Sequence, residues 1–336
     1  MTIKEIAAMC GVSRGTVDRV LNHRGRVKPE TERAVRAALE QAGYTKNIAG
    51  RALTVSRLAP RIGVVLCCLD NPFFDEVLKG IAQAEEELQD WGVHVELRLL
   101  RGYDAAAQRA AMDALNDCAA MVIQPINAPE IREGIAALAG RGIPVITINT
   151  DLADSRRTLY VGADYYRGGL TAGGMVNLCC ESGARLGIVA GARAILGHAQ
   201  RLQGFLDALD RRHQILARMD GEDEPACIYA GVRSMLKRHG DINALFVAAA
   251  GCASACQAVL DMGMAGKIKA FGFDLVPENA AMMRRGVIQA LICQQPRRQG
   301  HDAIRAAWQL LLNESAAQEN ILMETSICIL QNMTDA

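Results

Sequence analysis

Residues 2–22 read TIKEIAAMCGVSRGTVDRVLN, and this stretch decides the fold of the N-terminal part of the chain. Gly11 suits a turn that needs a positive φ, and Ser13 suits the N-cap of a following helix. Apolar residues recur at helical spacing on both sides of that turn: Ile3, Ile6 and Ala7, then Val17, Val20 and Leu21. Two short amphipathic helices joined by a tight glycine turn are typical of a helix-turn-helix.

The second helix places Arg14, Gly15, Thr16 and Arg19 on its exposed face, close to its start. That end of a recognition helix contacts base edges in the major groove of DNA. The alternative is a small three-helix cap with an ordinary solvated face. The order of the residues and their place at the N-terminus favour DNA binding.

A third helix is predicted within residues 27–43, VKPETERAVRAALEQAG. Pro29 stands at a first-turn position, acidic residues follow where the helix dipole favours them, and Gly43 ends the helix. One apolar stripe would close a small core with the first two helices: Val35, Leu39 and Ala42.

The pattern T-x-x-E-I-A-x-x-C-G-V-S-x-x-T-V-x-R-V-L-N, followed by V-x-P-E-T and G-Y-x-x-N, resembles the DNA-binding head of the LacI/GalR family of bacterial repressors. The sequence departs from that family at Asp18, where a small hydroxyl residue is usual, and at Gly50, where alanine is usual. The resemblance continues into the hinge helix of the family. It implies DNA contacts by Thr2, Ser13, Arg14, Gly15, Thr16, Arg19, Asn22, Arg26, Asn47, Arg51 and Leu53.

Residues 46–60 are accordingly interpreted as a hinge helix and linker. An isolated segment of about ten residues is too short to hold a helix in water, and Gly50 costs roughly another 1 kcal/mol relative to alanine. We therefore expect the hinge to be disordered without DNA. On DNA, Leu53 would wedge into a base step of the minor groove and bend the duplex.

The chain has 336 residues, half of them hydrophobic, so it can bury two or three cores. Its formal net charge is zero, but residues 1–57 carry a charge of +6 and the remaining residues −6. A basic head on an acidic body confines the attraction for phosphate to the head. No apolar run reaches transmembrane length and the start is not a signal peptide, so we expect a cytoplasmic protein without a membrane partner.

The eleven cysteines raise the question of disulfides or metal ligands. No C-x-x-C occurs and no histidine stands at zinc spacing, so they are interpreted as small buried hydrophobes in a reducing cytosol, and neither a metal site nor a cofactor is expected. No nucleotide-binding loop, nucleophile elbow or H-E-x-x-H string is present, which argues against an enzyme and against catalytic residues. The run GGLTAGG at residues 168–174 is predicted to allow close helix packing.

From Arg61 onward short apolar strands alternate with helices, which predicts doubly wound parallel α/β sheets. Nine to eleven strands are too many for one sheet, so two lobes are expected. The predicted domains are the helix-turn-helix head at 1–45, the hinge at 46–60 and an effector-binding core at 61–336. Lobe 1 of the core would comprise about 61–163 and 294–322, and lobe 2 about 164–293 and 323–336.

Open α/β sheets bind ligands at the carboxyl ends of their strands, and polar or aromatic residues follow several of the predicted strands here. This core resembles ribose-type periplasmic binding proteins, of type I, and the effector cores of LacI/GalR repressors. The resemblance implies effector contacts by Asn71, Phe73, Phe74, Arg201, Asp274 and Gln294. The strand-end position adds Asn149 and Asp151, in a loop where ribose binders have an Asp-Arg pair. A second departure is at residues 248–252, which read AAAGC instead of bearing Asn-Asp, and this argues against ribose.

Each of these residues also has a structural alternative. The phenylalanines could be core aromatics, Asp164 and Asp274 could be helix N-caps, and Arg201 could pair with Asp207 on a helix surface. Carboxylates, amides, a guanidinium and aromatic faces in one cleft suit a sugar or polyol.

The function predicted from all of this is a sequence-specific DNA-binding transcriptional regulator, a repressor, whose operator affinity depends on a small sugar or polyol effector. A homodimer would place two heads on a palindromic double-stranded operator. The alternatives are a sugar-binding protein without a regulatory role and an enzyme that uses the carboxylates or cysteines.

Overall fold

The computed structural model describes residues 2–21, 25, 27–42, 48–67, 69, 71–312 and 319–333. The predicted DNA contacts at Asn22, Arg26 and Asn47 lie outside the described residues. No helix of the described part of the chain is long and apolar enough to cross a membrane.

The head contains the predicted helix-turn-helix, and its local contacts explain why it forms. Thr2 and Glu5 make a reciprocal capping box at the start of the first helix. Gly11 adopts a φ of 62° in the turn, and the Ser13 hydroxyl accepts a hydrogen bond of 3.1 Å from the Thr16 amide, capping the second helix. The head helices are α1 (Ile3–Met9), α2 (Arg14–Leu21) and α3 (Pro29–Gln41).

A small apolar core closes the head, as the sequence predicted. The three helices bury Ile6, Ala7, Val17, Val20, Val35 and Ala38 in one cluster. Three of these residues, Ile6, Val17 and Val35, are completely buried although the head is small. The head therefore presents α2 on a rigid base and does not depend on the core for its own packing.

The core consists of two six-stranded sheets covered by helices on both faces. Its strands are β1 (Arg61–Cys67), β2 (His94–Leu100), β3 (Ala120–Ile123), β4 (Val145–Ile148), β5 (Leu159–Ala163), β6 (Arg185–Ala190), β7 (Gln214–Asp220), β8 (Ala244–Val247), β9 (Lys269–Phe273), β10 (Ile288–Cys293), β11 (Ile321–Met323) and β12 (Ser326–Cys328). After the helix α4 (Ile48–Ser56), the helices of the core are α5 (Phe73–Leu88), α6 (Ala105–Ala114), α7 (Pro129–Gly140), α8 (Tyr165–Cys179), α9 (Leu196–Ala208), α10 (Pro225–Arg238), α11 (Cys252–Asp261), α12 (Pro277–Arg284) and α13 (Pro296–Leu312).

The two sheets repeat one topology. The strand order is β2-β1-β3-β4-β5-β11 in the first lobe and β7-β6-β8-β9-β10-β12 in the second, with parallel pairing except between β10 and β12. The chain passes to lobe 2 after β5, returns after β10 and passes again between β11 and β12. The predicted fold class, a two-lobed doubly wound parallel α/β core behind an α-helical head, is confirmed. The division into domains stays a prediction, and the crossings lie beside its boundaries at 163, 294 and 323.

Strands β5, β7 and β11 were not recognised from the sequence. Strand β7 is a sheet edge, where half of the residues face water, and its QILARMD sequence lacks the continuous apolar run of a buried strand. Strand β5, with the sequence LYVGA, is short and contains a glycine, which weakens strand propensity.

In each lobe, two helices cross at a pair of glycines. In lobe 1, Gly80 of α5 faces the backbone of α13, and Gly300 of α13 faces the backbone of α5. In lobe 2, Gly169 of α8 and Gly204 of α9 make the same reciprocal contact, and a Cβ on either would overlap a backbone carbonyl of the facing helix. The prediction that the GGLTAGG run allows close helix packing is confirmed at Gly169.

The hinge segment differs from the expectation that it would be disordered without DNA, because it forms helix α4 against lobe 1. Ala52 is 3% exposed and belongs to the core cluster of that lobe. The Arg51 guanidinium donates a hydrogen bond of 3.3 Å from Nε to the Leu311 carbonyl at the end of α13. Burial of an apolar face stabilises a helix too short to persist alone. The isolated-segment argument was therefore wrong, because it left out this packing.

The glycine crossing in lobe 2 gives a test with an internal control. Gly169→Ala should lower the free energy of unfolding by about 1–3 kcal/mol, because the new methyl group meets the Arg201 carbonyl of α9. Gly174 lies in the same helix with open space where its Cβ would be. Gly174→Ala should therefore raise stability by about 0.5–1 kcal/mol through helix propensity. Urea unfolding of both variants decides this, and equal effects would contradict the close crossing.

Candidate effector site and DNA-binding surface

A cavity of about 930 Å³ lies between the two lobes, at the carboxyl ends of both sets of strands. Its volume falls in the range of small-molecule sites. Both lobes contribute aromatic side chains to its wall: Phe73, Phe74, Tyr103, Tyr165 and Phe273. Polar side chains alternate with these rings, so the cavity offers both stacking surfaces and hydrogen-bonding groups.

Arg201 is the central polar group of lobe 2, and it lies within α9 rather than at its start. Its side chain is 3% exposed, and the guanidinium lies 3.6 Å from the ring centre of Phe273 and 4.5 Å from that of Tyr165. One terminal nitrogen donates to the Ala248 carbonyl at 2.7 Å and the other to the Gln294 side-chain oxygen at 3.1 Å. Its Nε has no partner among the described residues. Burial lowers the pKa of this guanidinium.

Asp274 and Gln294 extend this network. The Gln294 amide nitrogen donates to both carboxylate oxygens of Asp274, at 3.2 and 2.9 Å. Asp274 follows β9 with a φ of 63°, a left-handed conformation that is costly for a residue with a side chain. Burial raises the pKa of the Asp274 carboxyl to about 6, against the opposing effects of Arg201 and Gln294. Backbone strain and a desolvated carboxyl at one position are typical of a ligand site.

Lobe 1 contributes Asn71, Phe73 and Phe74 from the start of α5. The two rings pack edge to face with their centres 5.2 Å apart, and both rings line the cavity. The Asn71 side-chain oxygen accepts a hydrogen bond of 3.1 Å from the Phe73 amide, which fixes the loop. The phenylalanines also belong to the core cluster of the lobe, so the structural alternative holds, and their contact with an effector stays a prediction.

The two predicted effector contacts in the loop after β4, Asn149 and Asp151, lie in different surroundings. Asn149 is 7% exposed with a φ of 64°, and it lines the cavity. Asp151 is not among the residues that line the cavity, so the structure does not bring it together with Asn149 there, and its contact with an effector stays a prediction. Its carboxylate instead pairs with Arg157 through hydrogen bonds of 2.6 and 2.7 Å and accepts a third from the Thr147 hydroxyl. The Leu152 amide donates a fourth hydrogen bond, of 2.8 Å, to the same carboxylate, so these contacts hold Asp151 within its own loop.

Structural alternatives were also considered for Asp164, Asp274 and the Arg201–Asp207 pair, and the structure agrees with the alternative only for Asp164. Asp164 caps α8 by accepting from the Arg167 amide, which supports the cap interpretation for this residue. Asp274 does not cap α12, whose N-cap is Val276. Asp207 interacts with Tyr166 and Gln203 rather than with the buried Arg201.

The departure at residues 248–252 leaves one wall of the cavity apolar. Ala248 and Ala249 are buried, and the polar group of this segment that reaches the network is the Ala248 carbonyl, which accepts from Arg201. Ala249, Ala250 and Gly251 line the cavity. An effector would therefore find few hydrogen-bonding groups on this side.

The sequence analysis missed a polar cluster at another part of the cavity. The Tyr103 hydroxyl of lobe 1 donates a hydrogen bond of 2.9 Å to Asp223 of lobe 2, and His198 lies 3.6 Å from the same carboxylate oxygen. Asp223 follows β7, the strand that was not recognised, so its strand-end position was hidden. Burial raises the pKa of Tyr103 and lowers that of His198.

The head presents the predicted DNA-contacting residues on α2. Arg14, Gly15 and Arg19 are exposed and Thr16 is partly exposed. The Arg19 Nε donates to the Gly15 carbonyl at 3.2 Å, which suits a bracing role better than base contact. Thr2 and Ser13 are exposed helix caps in this structure.

On the hinge, Leu53 is 60% exposed, whereas Arg51 turns toward α13. Leu53 therefore remains available for contact with DNA although its helix is docked on lobe 1. The DNA contacts of the head and hinge stay predictions.

The comparisons with known proteins match the two parts of the chain separately. The family model "Bacterial regulatory proteins, lacI family" matches residues 2–47, and the model "Periplasmic binding protein domain" matches residues 62–315. The regulator CelR of Thermobifida fusca is 27% identical over 272 residues, covering 74% of this chain and 73% of CelR. The ribose import binding protein RbsB of Bacillus subtilis (strain 168) is 25% identical over 253 residues, covering 74% of this chain and 81% of RbsB.

Among solved structures, a solute binding protein from Burkholderia graminis C4D1M in complex with D-arabinose is similar to the core, with a TM-score of 0.77 and 19% identity. The match covers 82% of this chain and 97% of that chain. At this identity the likeness shows the fold alone.

The buried carboxyl of Asp274 gives a prediction for the protein without ligand. Its pKa is raised from the ordinary 3.8 to about 6, so the folded state holds this proton more tightly than the unfolded state. The stability of the wild type should therefore fall as the pH rises from about 4 to about 6, by up to about 3 kcal/mol. In Asp274→Asn the titrating group is absent and this fall should disappear. Parallel stability curves between pH 4 and 7 for the two proteins would contradict the desolvated carboxyl.

Proposed function

Because the chain belongs to the lacI family of bacterial regulatory proteins and has a periplasmic binding protein domain as its core, we propose that it is a transcriptional repressor controlled by a small sugar or polyol. The observation that carries this is the combination, in one chain, of a helix-turn-helix head with a polar and aromatic cleft between two lobes. The repressor acts as a homodimer, whose two heads occupy the half-sites of a palindromic operator.

The proposal that the protein binds DNA rests on the exposed face of α2. Arg14 stands at the first position of that helix and is exposed, so its guanidinium can reach a base edge, where arginine binds guanine with two hydrogen bonds. The +6 charge of residues 1–57 attracts the phosphate backbone without regard to sequence. Leu53 on the exposed side of α4 is the residue we assign to the minor groove.

A chain of packed helices joins the cleft to the hinge. Helix α13 begins directly after the network residue Gln294, and helix α5 begins at Phe73 on the other side of the cleft. These two helices cross at the glycine pair, and α4 packs on α13 through Ala52. A change in the separation of the lobes on effector binding would therefore move the surface on which the hinge helix rests, and so change operator affinity.

The proposal that the cleft binds a sugar or polyol effector rests on its hydrogen-bonding groups. Asp274 can accept from adjacent hydroxyls, Arg201 can donate from its unpartnered Nε, and the aromatic rings can pack on sugar C–H surfaces. We place the protein in the cytoplasm, where its operator is. A sugar-binding protein without a regulatory role is the alternative, and the head argues against it. An enzymatic function has no support in the relatives, which are regulators and binding proteins.

The DNA-binding half predicts a specific effect at Arg14. Arg14→Ala should weaken binding to the selected operator by about 1–3 kcal/mol and relax specificity at one base position. The operator is first obtained by selection from random DNA, and binding is then measured on all single-base variants. Arg109→Ala, which removes the same charge from the surface of lobe 1, serves as the matched control and should leave operator affinity unchanged. Equal operator affinity in the wild type and Arg14→Ala would contradict the assignment of α2.

The proposed effector site predicts that variants at Arg201 and Asp274 lose effector affinity but keep operator affinity. Arg201→Ala and Asp274→Asn should each reduce effector affinity about tenfold to a hundredfold, because each removes a charge-assisted hydrogen bond. Operator affinity without effector should stay the same, since neither residue touches the head. A panel of sugars and polyols screened by thermal shift supplies the ligand, and calorimetry gives the affinities. Unchanged effector affinity in both variants would place the effector elsewhere.

A further inference from the structure

The carboxylate of Asp223 is the most unusual group in the cleft outside the Arg201 network. Its side chain is 8% exposed and lines the cavity. One oxygen accepts from Tyr103 across the cleft and lies near His198, while the other, Oδ1, has no partner among the described residues. A buried acceptor without a donor is destabilising, so a bound molecule that donates to this carboxylate would offset that cost.

The charges around Asp223 show which kind of donor fits. In the interior of the cavity two carboxylates, Asp223 and Asp274, face one guanidinium, that of Arg201, which interacts electrostatically with both. His198 does not add a second cation, because burial lowers its pKa below the usual value of 6.5. The interior therefore retains one negative charge that the described residues do not balance.

The rim of the cavity also has an excess of negative charge. Among the described residues that line the cavity, three exposed carboxylates, those of Glu222, Glu224 and Glu278, stand with one exposed guanidinium, that of Arg101. The field of the rim thus draws cations toward the cleft and repels anions. Nearby rings, among them Tyr103, can also stack on a cation once it has lost its water.

We propose that the effector carries one protonated amine, as an amino sugar or amino polyol does, and that Asp223 binds this amine. The inference rests on the proposed function and narrows its ligand class. The sugar ring lies between the aromatic residues and the Arg201 network, and the ammonium group donates to the Asp223 carboxylate. The same charge balance disfavours sugar acids and sugar phosphates, because they would add a negative charge to a cleft that already has an excess of carboxylates.

The test compares sugars that differ at one group. Four members of each hexose series, gluco, galacto and manno, are titrated into the full-length protein at pH 7: the hexose, the 2-amino-2-deoxyhexose, its N-acetyl derivative and the hexuronate. The N-acetyl sugar keeps the nitrogen but loses the charge, so it separates charge from shape. In one series the amino sugar should bind at least tenfold more tightly than the other three members.

Asp223→Asn should remove this preference. Asparagine keeps the size of the side chain and an acceptor for Tyr103, so the fold and the contact across the cleft are preserved while the charge is lost. Affinity for the amino sugar should drop about tenfold to a hundredfold, and affinity for the neutral hexose should change less than about threefold. Glu133→Gln is the control, because it removes one carboxylate from the exposed surface of α7, outside the cavity, and it should change amino-sugar affinity less than about threefold.

Tyr103→Phe separates the charge of Asp223 from the contact between the lobes. It deletes the hydrogen bond across the cleft but leaves the carboxylate, so the preference for the amino sugar should persist. Retention of the preference in Asp223→Asn would overturn the proposal, because the charge of Asp223 would then not be what selects the amino sugar.

The remaining outcomes distinguish failure of the amine proposal from failure of the proposed function. If the neutral hexose or the hexuronate binds as tightly as the amino sugar, the proposal of an amine is wrong, and the proposed sugar-responsive regulator stands. If no member of any series binds while the protein still binds its operator, both the amine and the sugar effector are wrong. If the protein binds no selected DNA, the regulator itself is wrong, whatever the cleft binds.

Discussion

The burial of one guanidinium organises the ligand cleft of this protein. Arg201 leaves water for a position between two aromatic rings, and a charge in such a place is stable only when its hydrogen bonds are made. Its partners are a strand-end carbonyl, Ala248, and a side chain at the crossing between lobes, Gln294. The same contacts therefore hold the ends of β8 and β10 together and present Asp274 to the cavity.

The position of Arg201 depends in turn on the glycine crossing of α8 and α9. Gly169 of α8 lies against the backbone of Arg201 in α9. The two helices can approach this closely only because position 169 is a glycine, which has no side chain. The equivalent crossing in lobe 1 brings α13 onto α5, and α4 rests on α13. The repeated topology thus uses one packing device twice, once to place a ligand-binding residue and once to support the hinge.

The hinge illustrates how local and tertiary contributions oppose each other. Local propensity argues against a helix at residues 48–56, because the segment is short and contains Gly50. Burial of Ala52 offsets that disadvantage, while Leu53 stays exposed on another side of the same helix. Because α4 rests on lobe 1, a displacement of that lobe would also change the position of the hinge.

Much of the architecture follows from the sequence alone, because local patterns are sufficient for it. Helical periodicity, the glycine turn at Gly11 and the cap at Ser13 define the head, and apolar strands alternating with helices define the class of the core. The polar residues that follow recognised strands, such as Asn149 and Asp274, were found for the same reason. Where a strand had the weak pattern of an edge, as β7 does, the residue that follows it, Asp223, was missed.

The tertiary structure alone decided which of the candidate polar groups share the cleft. Asn149 and Asp151 stand two residues apart in the same loop, yet one faces the cavity and the other is neutralised by Arg157. Tyr103 and Asp223 are 120 residues apart in sequence, and they meet because the lobes face each other. Sequence patterns report the propensities of neighbouring residues, whereas charge balance in a cleft is a sum over distant segments whose distances are set by packing.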